Sequence, residues 1–317
     1  MSQNEKKIEL RHAYFEYPNG FLANEDLNLT VKRGERVAIV GQNGAGKTTA
    51  VKMMNGLHKP SKGDVFVDGK NTKEYTTAQI ARNVGYVFQN PDDQIFNQSV
   101  YAEIAYMPKY YKLSEDEVKE RVMEAAQIMK IEKFLDKNPF EIPYVTRKFV
   151  TIAAILATKP NYLILDEPTA GQDLKGIGIL SELLQILQEK QIGVITITHD
   201  MEFVADNFQR VVAMANKHII ADGTAREIFG CEDILKQSKI KKTQIGAIAA
   251  EINIGNDILN AEEFVERWKK INKNILTICL SWSVLTRMIS GMALKVDWKQ
   301  KGKTSWQRYL LPWELKK

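Results

Sequence analysis

A glycine-rich turn between an apolar strand and a helix constrains this sequence more than any other segment. The stretch VAIVGQNGAGKTT fits the pattern G-x-x-x-x-G-K-[ST] from Gly41 to Thr48. Glycines let successive backbone N–H groups curl around a polyphosphate, and the following helix points its positive end at the same anion. The apolar strand before the turn and the helix after it are the context that such a loop requires. We therefore predict a phosphate-binding loop at this position.

The predicted loop gives each of its residues a task. Lys47 is expected to reach the β- and γ-phosphates of a nucleotide, and the Thr48 hydroxyl is expected to join the shell of a Mg²⁺ ion. The residues expected to bind the nucleotide here are Gly41, Gln42, Asn43, Gly44, Ala45, Gly46, Lys47, Thr48 and Thr49.

A second signal is the acidic end of an apolar strand, YLILDEP, where Asp166 and Glu167 emerge side by side. A bare carboxylate pair at the end of a buried strand is costly unless it serves a function. On its own, the pair is more typical of a capped turn. Beside a phosphate loop, Asp166 is predicted to hold Mg²⁺ and Glu167 to accept a proton from attacking water.

Two further polar residues follow strand-like segments. His199 ends GVITITH, and Gln89 leaves VGYVF. A lone histidine at a strand end is usually structural, and a lone glutamine there is usually a polar turn residue. Parallel strands, however, should bring His199 to the edge that carries Asp166, where ligands of open α/β sheets bind.

The order of patterns predicts an α/β fold. Residues 8–40 contain short apolar bursts typical of strands and hairpins, and the chain from about 95 to 160 has helical periodicity. YLILD and GVITITH flank a helical run in a βαβ arrangement. Past about 231, two short helices are predicted, the second capped by Asn260 with Glu263.

Charge and cysteine content narrow the possible partners. The net charge of +5 lies within residues 295–317, which carry seven Lys or Arg against two Asp or Glu, so the remaining chain is neutral. A nucleic-acid-binding surface is therefore not predicted. Two distant cysteines and a polar N-terminal stretch without a visible signal peptide favour a reducing cytoplasm.

The last 45 or so residues, 273–317 (the tail), combine an apolar helical stripe with a basic, Trp-rich end. Arg287 near the middle of the stripe costs about 2.5–3.5 kcal/mol on insertion scales and argues against a transmembrane span. An amphipathic helix on a membrane surface and a helix docked on the protein itself both remain open.

Taken together, these motifs resemble those of the ATP-binding-cassette (ABC) ATPases over residues 8 to about 230. In chain order, the matching segments are the phosphate loop 41–48, a glutamine loop at Gln89, LILDEP at 163–168, TAGQD ending at Asp173, and a switch histidine at His199. The resemblance implies ATP and Mg²⁺ as cofactors, catalytic roles for Glu167, His199 and Gln89, and metal contacts from Thr48, Gln89 and Asp166. It also places Tyr17 of FEYP against the adenine, although a core tyrosine is the alternative, and assigns nucleotide binding to Asp173.

Within this superfamily, FQNPDDQIF, NPFE and PTAGQD are most similar to the ATPases of energy-coupling-factor importers for vitamins and metal ions. That resemblance implies a mixed-sheet ATPase domain at 1–230 with a helical subdomain at about 92–158. It also implies a C-terminal helical extension at 231–272, of a kind that supports dimerisation, followed by the tail. The expected location is the cytoplasmic face of the cell membrane, bound to a transmembrane energy-coupling subunit and a substrate-binding membrane subunit.

One segment departs from the family pattern. Residues 142–146 (the signature segment) read Ile-Pro-Tyr-Val-Thr where the family has Leu-Ser-Gly-Gly-Gln, which binds the γ-phosphate held by the other subunit. Pro143 has neither a hydroxyl nor a backbone N–H, although it suits the first turn of a helix. Substitution by Thr146 or Arg147 is the alternative. We expect a heterodimer with a second ABC ATPase subunit whose signature is intact.

Two other classes share this fold. ATPases of DNA maintenance insert long coiled coils between the glutamine loop and the signature, and only about fifty residues separate Gln89 from Ile142 here. Translation ATPases carry two cassettes per chain, and this chain has one. A regulatory, non-hydrolysing nucleotide sensor is disfavoured by the presence of Glu167.

Overall fold

The computed structural model describes residues 6–271, whose strands form two sheets. The strands are β1 (Lys7–Glu16), β2 (Leu22–Lys32), β3 (Arg36–Val40), β4 (Lys62–Val67), β5 (Lys70–Asn71), β6 (Val84–Val87), β7 (Tyr162–Asp166), β8 (Gly193–Ile197), β9 (Arg210–Ala215) and β10 (His218–Thr224). The first sheet is antiparallel with the order β2-β1-β4-β5, and the second has the order β10-β9-β3-β8-β7-β6. The predicted α/β fold is confirmed.

The six-stranded sheet is parallel except for β10, which pairs antiparallel with β9. Strands β7 and β8 are buried along their whole length, because helices or the other sheet cover both faces. This explains their unbroken apolar sequences. The carboxyl ends of β3, β7 and β8 meet at one edge, and the chain leaves that edge at the phosphate loop, at Glu167 and at Thr198.

The helices are α1 (Lys47–Met54), α2 (Thr77–Ala81), α3 (Val100–Tyr110), α4 (Glu115–Ile128), α5 (Tyr144–Leu156), α6 (Leu174–Glu189), α7 (Met201–Asn207), α8 (Ala225–Gly230), α9 (Glu232–Ser238) and α10 (Gln244–Glu251). Helix α6 connects β7 to β8, as the βαβ pattern predicts. Helices α3, α4 and α5 lie between β6 and β7 in chain order and pack together. Their buried residues Ile104, Val122 and Val150 belong to the main hydrophobic core.

Helix α4 begins at the predicted cap, with a difference in detail. The Ser114 hydroxyl accepts a hydrogen bond from the Glu117 N–H at 3.3 Å. The Glu117 carboxylate accepts from Arg121, one turn further along, at 2.8 Å. The i,i+4 ion pair with Arg121 therefore engages the Glu117 carboxylate, which in a full capping box would accept from the Ser114 N–H.

The two sheets enclose a second core around α1, with Leu27, Ile39 and Met53 fully buried. The turn between β4 and β5 joins the sheets at the edge remote from the phosphate loop. There, Asp68 accepts hydrogen bonds from Arg33 at 2.5 Å and from the Tyr162 hydroxyl at 2.8 Å.

The two helices predicted after residue 231 are present, and α8 and α9 precede them. Residues 261–271 form a further helix, and Asn260 caps it by accepting from the Glu263 N–H at 3.0 Å. Leu235 and Ile240 are buried in the main core, so the packing is continuous across residue 230. The boundary predicted there between the ATPase domain and the C-terminal extension stays a prediction.

The chain divides into two units, Met1–Glu266 and Arg267–Lys317, and only residues 267–271 of the second unit are described. The tail predictions, including the apolar stripe and the basic aromatic end, lie outside the described residues. Within residues 6–271, no helix has both the length and the apolar character needed to cross a bilayer.

Candidate functional site

The loop after β3 has the backbone that a phosphate cradle needs. Gly41, Gly44 and Gly46 have φ angles of 148°, 79° and 97°, which favour glycine. A Cβ at Gly41 would lie 2.2 Å from the Met214 carbonyl oxygen, and one at Gly46 would lie 2.3 Å from Asn24 Nδ2. These two glycines are required by close packing as well as by conformation, whereas the space beside Gly44 is open.

Lys47 lies inside the loop that it follows. Its side chain is buried, and its ammonium donates to the carbonyl oxygens of Gly41 at 2.6 Å and Gln42 at 3.0 Å. The Ala45 N–H also donates to Gln42 O at 3.2 Å, which closes the turn. The lysine thus sits where a phosphate bound by the loop would meet it.

The first turn of α1 points its hydroxyls in two directions. Thr48 is exposed, whereas Thr49 is buried and its Oγ1 lies 3.2 Å from the Tyr17 hydroxyl. Tyr17 packs edge-on against Phe15, with ring centroids 4.9 Å apart. The aromatic residue proposed to contact adenine is therefore tied to the start of α1.

A cavity of about 500 Å³ brings together the three predicted metal-binding residues, because Thr48, Gln89 and Asp166 all line it. Hydroxyl, amide and carboxylate oxygens are ligands that suit Mg²⁺, which takes few protein ligands and completes its shell with phosphates and water. Asp166 is buried, and one of its oxygens accepts a hydrogen bond from the Tyr86 hydroxyl at 2.7 Å. The donor set fits the predicted ion.

Glu167 adopts a strained backbone conformation directly after β7. Its φ angle is 49°, in the left-handed region that costs a non-glycine residue about 1–2 kcal/mol. Four hydrogen bonds hold the turn. The Glu167 N–H donates to Ile197 O at 2.8 Å, and the His199 N–H donates to Glu167 Oε2 at 3.2 Å. The Glu167 carbonyl oxygen accepts from Lys148 Nζ at 2.7 Å and from the Ala170 N–H at 3.3 Å. These contacts fix the direction of the carboxylate.

His199 joins the phosphate loop to the acidic turn. Its Nε2 lies 3.0 Å from Asn43 Oδ1 and 3.5 Å from Glu167 Oε1. The strands β3, β7 and β8 therefore deliver Asn43, Glu167 and His199 to one place, as the parallel topology predicts.

Burial governs the protonation of this site. It raises the pKa of the Asp166 carboxyl, which the hydrogen bond from Tyr86 partly offsets, and it raises the pKa of the Glu167 carboxyl. Burial also lowers the pKa of Lys47 and of His199. A raised carboxylate pKa strengthens a group that has to accept a proton.

The signature segment makes different contacts. Pro143 precedes the first residue of α5 and provides no side-chain cap, and Tyr144 and Val145 are 46% and 37% exposed. The Tyr144 hydroxyl donates to Asn90 Oδ1 at 3.2 Å. The helix begins directly after the proline rather than at a shifted position.

Arg147, the sequence-based alternative for phosphate binding, is occupied within its own chain. Its guanidinium donates to Asp92 Oδ1 at 3.1 Å and to the carbonyl oxygens of Phe140 at 2.8 Å and Ile142 at 3.3 Å. The first turn of α5 is therefore bound to the segment that follows Gln89.

Asp173 has a structural contact of its own. Its carboxylate accepts from the Gly176 N–H at 2.7 Å and so caps α6. The neighbouring Gln172 side chain donates to Val145 O at 3.0 Å. The predicted contribution of Asp173 to nucleotide binding stays a prediction.

Sequence reasoning missed three residues that support the site. Tyr86 binds Asp166, Asn24 donates to Gly46 O at 3.1 Å, and Lys148 binds the Glu167 carbonyl. Tyr86 and Asn24 lie in ordinary strand sequences without any distinguishing pattern. Lys148 does carry a signal, since it is a cation directly before the apolar run FVTIAAIL.

Comparison with known proteins yields consistent similarities. The family profile described as ABC transporter matches residues 24–170. A protein of Pyrococcus furiosus named as an ABC transporter ATP-binding protein is 42% identical over 78% of this chain and 94% of its own length. The energy-coupling factor transporter ATP-binding protein EcfA of Methanocaldococcus jannaschii is 35% identical, covering 79% of this chain and 91% of that protein.

Among solved structures, the chain is similar to cbiO1 from Clostridium perfringens, described as part of the ABC transporter complex cbiONQ. The TM-score is 0.68 at 31% identity, and the match covers 78% of this chain and 99% of that one.

Proposed function

Since the chain belongs to the ABC transporter family as an ATP-binding subunit that hydrolyses ATP, we propose that it powers an importer of the energy-coupling-factor type. The similarities to EcfA and to cbiO1, each named for a transporter, support this assignment. We propose that the subunit works at the cytoplasmic face of the membrane. Its partners there would be a transmembrane energy-coupling subunit and a substrate-binding membrane subunit.

The loop and the acidic turn are proposed to bind and cleave ATP. Lys47 and the loop N–H groups hold the phosphates, and Tyr17 contacts the adenine. Thr48, Gln89 and Asp166 would hold a Mg²⁺ ion, which neutralises phosphate charge when it is bound. Glu167 accepts a proton from the attacking water, and His199 fixes the position of that carboxylate relative to the loop.

One observation supports the proposed assembly. This chain has all the residues expected for ATP hydrolysis, whereas its signature segment binds other residues of the same chain. In head-to-tail pairs, each nucleotide lies between one subunit's phosphate loop and the other's signature. Tyr144 and Arg147 of this chain bind their own Asn90 and Asp92. We propose a heterodimer in which a second ABC ATPase subunit supplies an intact signature to the site built on Glu167.

The heterodimer is tested by measuring ATP hydrolysis of the chain purified alone and of the assembly isolated from native membranes through a tag on this chain. We expect slow turnover by the chain alone and fast turnover by the assembly, with a second ATPase subunit identified by mass spectrometry. Vigorous hydrolysis by the chain alone would refute the heterodimer.

A gain-of-function variant gives an independent test. Replacing residues 142–146 by Leu-Ser-Gly-Gly-Gln should increase the turnover of the chain alone, because each copy would then offer a phosphate-binding signature to the other. The same replacement in a Glu167→Gln background is the control and should stay inactive. No gain in the first variant would count against the proposal.

A further inference from the structure

We infer that Lys148 is a positioning residue, which holds the Glu167 turn in its reactive geometry from within helix α5. The inference rests on the proposed role of Glu167 in hydrolysis. It assigns to α5 a task within its own chain, distinct from contact with a nucleotide held by another subunit.

The position of Lys148 is unusual for a lysine. It lies in the second turn of α5, and only 2% of its surface is exposed. Its ammonium donates to the Glu167 carbonyl oxygen at 2.7 Å and approaches the Ala170 carbonyl oxygen at 3.5 Å. Both acceptors belong to the turn that carries the catalytic carboxylate.

Burying an ammonium group is costly, and within residues 6–271 the Lys148 ammonium bonds to main-chain carbonyls. An apolar side chain would fill the same volume at lower cost. We therefore attribute the burial of Lys148 to its effect on the turn. The Glu167 carbonyl already accepts the Ala170 N–H at 3.3 Å, and the lysine adds a second, charged donor.

The turn needs such support because Glu167 is in the left-handed region, with φ at 49°. A strained residue keeps its conformation only where its surroundings enforce it. The Glu167 N–H is held by β8 through Ile197, and its carbonyl is held by α5 through Lys148. Loss of the second contact would let the peptide plane rotate and redirect the carboxylate.

A second contact joins the same two elements. Gln172, at the end of the acidic turn, donates to Val145 O in the first turn of α5 at 3.0 Å. Arg147, adjacent to Lys148, is bound to Asp92 in the segment that follows Gln89. Helix α5 therefore contacts both the Glu167 turn and the segment after Gln89 within its own chain.

The test compares Lys148→Met with a matched control on the same helix, Thr151→Val. Met has a similar length without charge or donors. Thr151 is fully buried, and its hydroxyl donates within the helix to Lys148 O, so its replacement removes one buried hydrogen bond of the same helix without a change of charge. Full-length variants are isolated in the assembly in which the wild-type chain hydrolyses ATP, with Glu167→Gln as the reference for lost catalysis.

For Lys148→Met, we expect kcat to fall about tenfold or more while KM for ATP stays within about twofold, because a small displacement of a catalytic group affects the chemical step more than binding. Hydrogen–deuterium exchange should be faster across residues 167–172. Thr151→Val should change neither quantity. A merely structural lysine would instead lower the Tm, with equal effects on kcat and ATP binding.

The possible failures can be told apart. Lys148→Met with wild-type kcat, beside an inactive Glu167→Gln, would overturn this inference and leave the proposed catalytic role intact. Full activity of Glu167→Gln would overturn both. If Lys148→Met does not fold, Lys148→Gln, which is neutral but keeps one donor, should show an intermediate kcat, and wild-type kcat in that variant together with unchanged exchange across 167–172 would refute the inference.

Discussion

The carboxyl edge of the parallel sheet and the first turn of α5 lie in the same molecule but differ in how they use their polar groups. At the sheet edge, Thr48, Gln89 and Asp166 line a cavity that a ligand can enter, and Lys47 lies inside the adjoining loop. At the start of α5, Tyr144 and Arg147 bind residues of their own chain. In the first region polar side chains line a cavity, whereas in the second they bind other parts of the same chain.

Under the proposed assembly, the two regions serve different nucleotide sites, so each can change without the other. Pro143 suits a helix start and α5 has a buried apolar face, so the helix forms without the Leu-Ser-Gly-Gly-Gln residues of the family pattern. The substitutions below test whether the division between the two regions holds.

The largest effect is expected for Glu167→Gln, which keeps the size of the side chain but cannot accept a proton. ATP hydrolysis by the assembly should fall about 100-fold or more, with nucleotide binding retained. Phosphate release and ATP titration measure the two quantities. Glu132→Gln, at an exposed position, is the control. Substantial remaining hydrolysis would remove Glu167 from the mechanism.

Lys47→Met should weaken ATP binding about ten- to hundredfold, because a charged hydrogen-bond donor to phosphate is lost. Calorimetric titration of the full chain measures the change. Unaltered affinity would mean that Lys47 serves only to close the loop through the Gly41 and Gln42 carbonyls.

A pair of glycine variants separates conformational cost from packing cost in the loop. Gly46→Ala should lower the free energy of unfolding by about 3 kcal/mol, since its Cβ would collide with Asn24 and Ala23 at an unfavourable φ. Gly44→Ala, in open space, should cost only about 1 kcal/mol. Chemical denaturation measures both values, and equal losses would contradict the tight packing at Gly46.

The smallest effect is expected in the signature segment. Tyr144→Phe removes an exposed hydrogen bond to Asn90 and should change the free energy of unfolding by less than about 0.5 kcal/mol, with ATP affinity of the chain unchanged. Tyr110→Phe, at another exposed tyrosine, is the control. A loss of affinity as large as that of Lys47→Met would mean that this turn contacts nucleotide.

The sequence predicts the phosphate loop well because its chemistry is local. The spacing of Gly41, Gly46 and Lys47 fixes the turn, and the flanking apolar strand and helix are visible beside it. The convergence of Glu167 and His199 is also predictable, since it follows from the parallel order of two buried strands.

The supporting contacts are not predictable in the same way. Tyr86 and Asp166 are 80 residues apart, and Tyr144 and Asn90 are 54 apart, so each pair depends on the finished tertiary structure. Residue types give no indication of which polar groups will meet across such distances. The cap of α4 shows the same limit on a smaller scale, because Arg121 competes for Glu117.

The place of β6 in the sheet has a mechanical consequence. It is the border strand of the sheet and pairs with β7 but with no second strand among residues 6–271, whereas β3, which leads into the phosphate loop, is flanked by β8 and β9. Gln89 follows this border strand, where the chain enters the helices α3 to α5. A pull from those helices therefore strains a single ladder of hydrogen bonds, so α3 to α5 can shift while β3 stays in register.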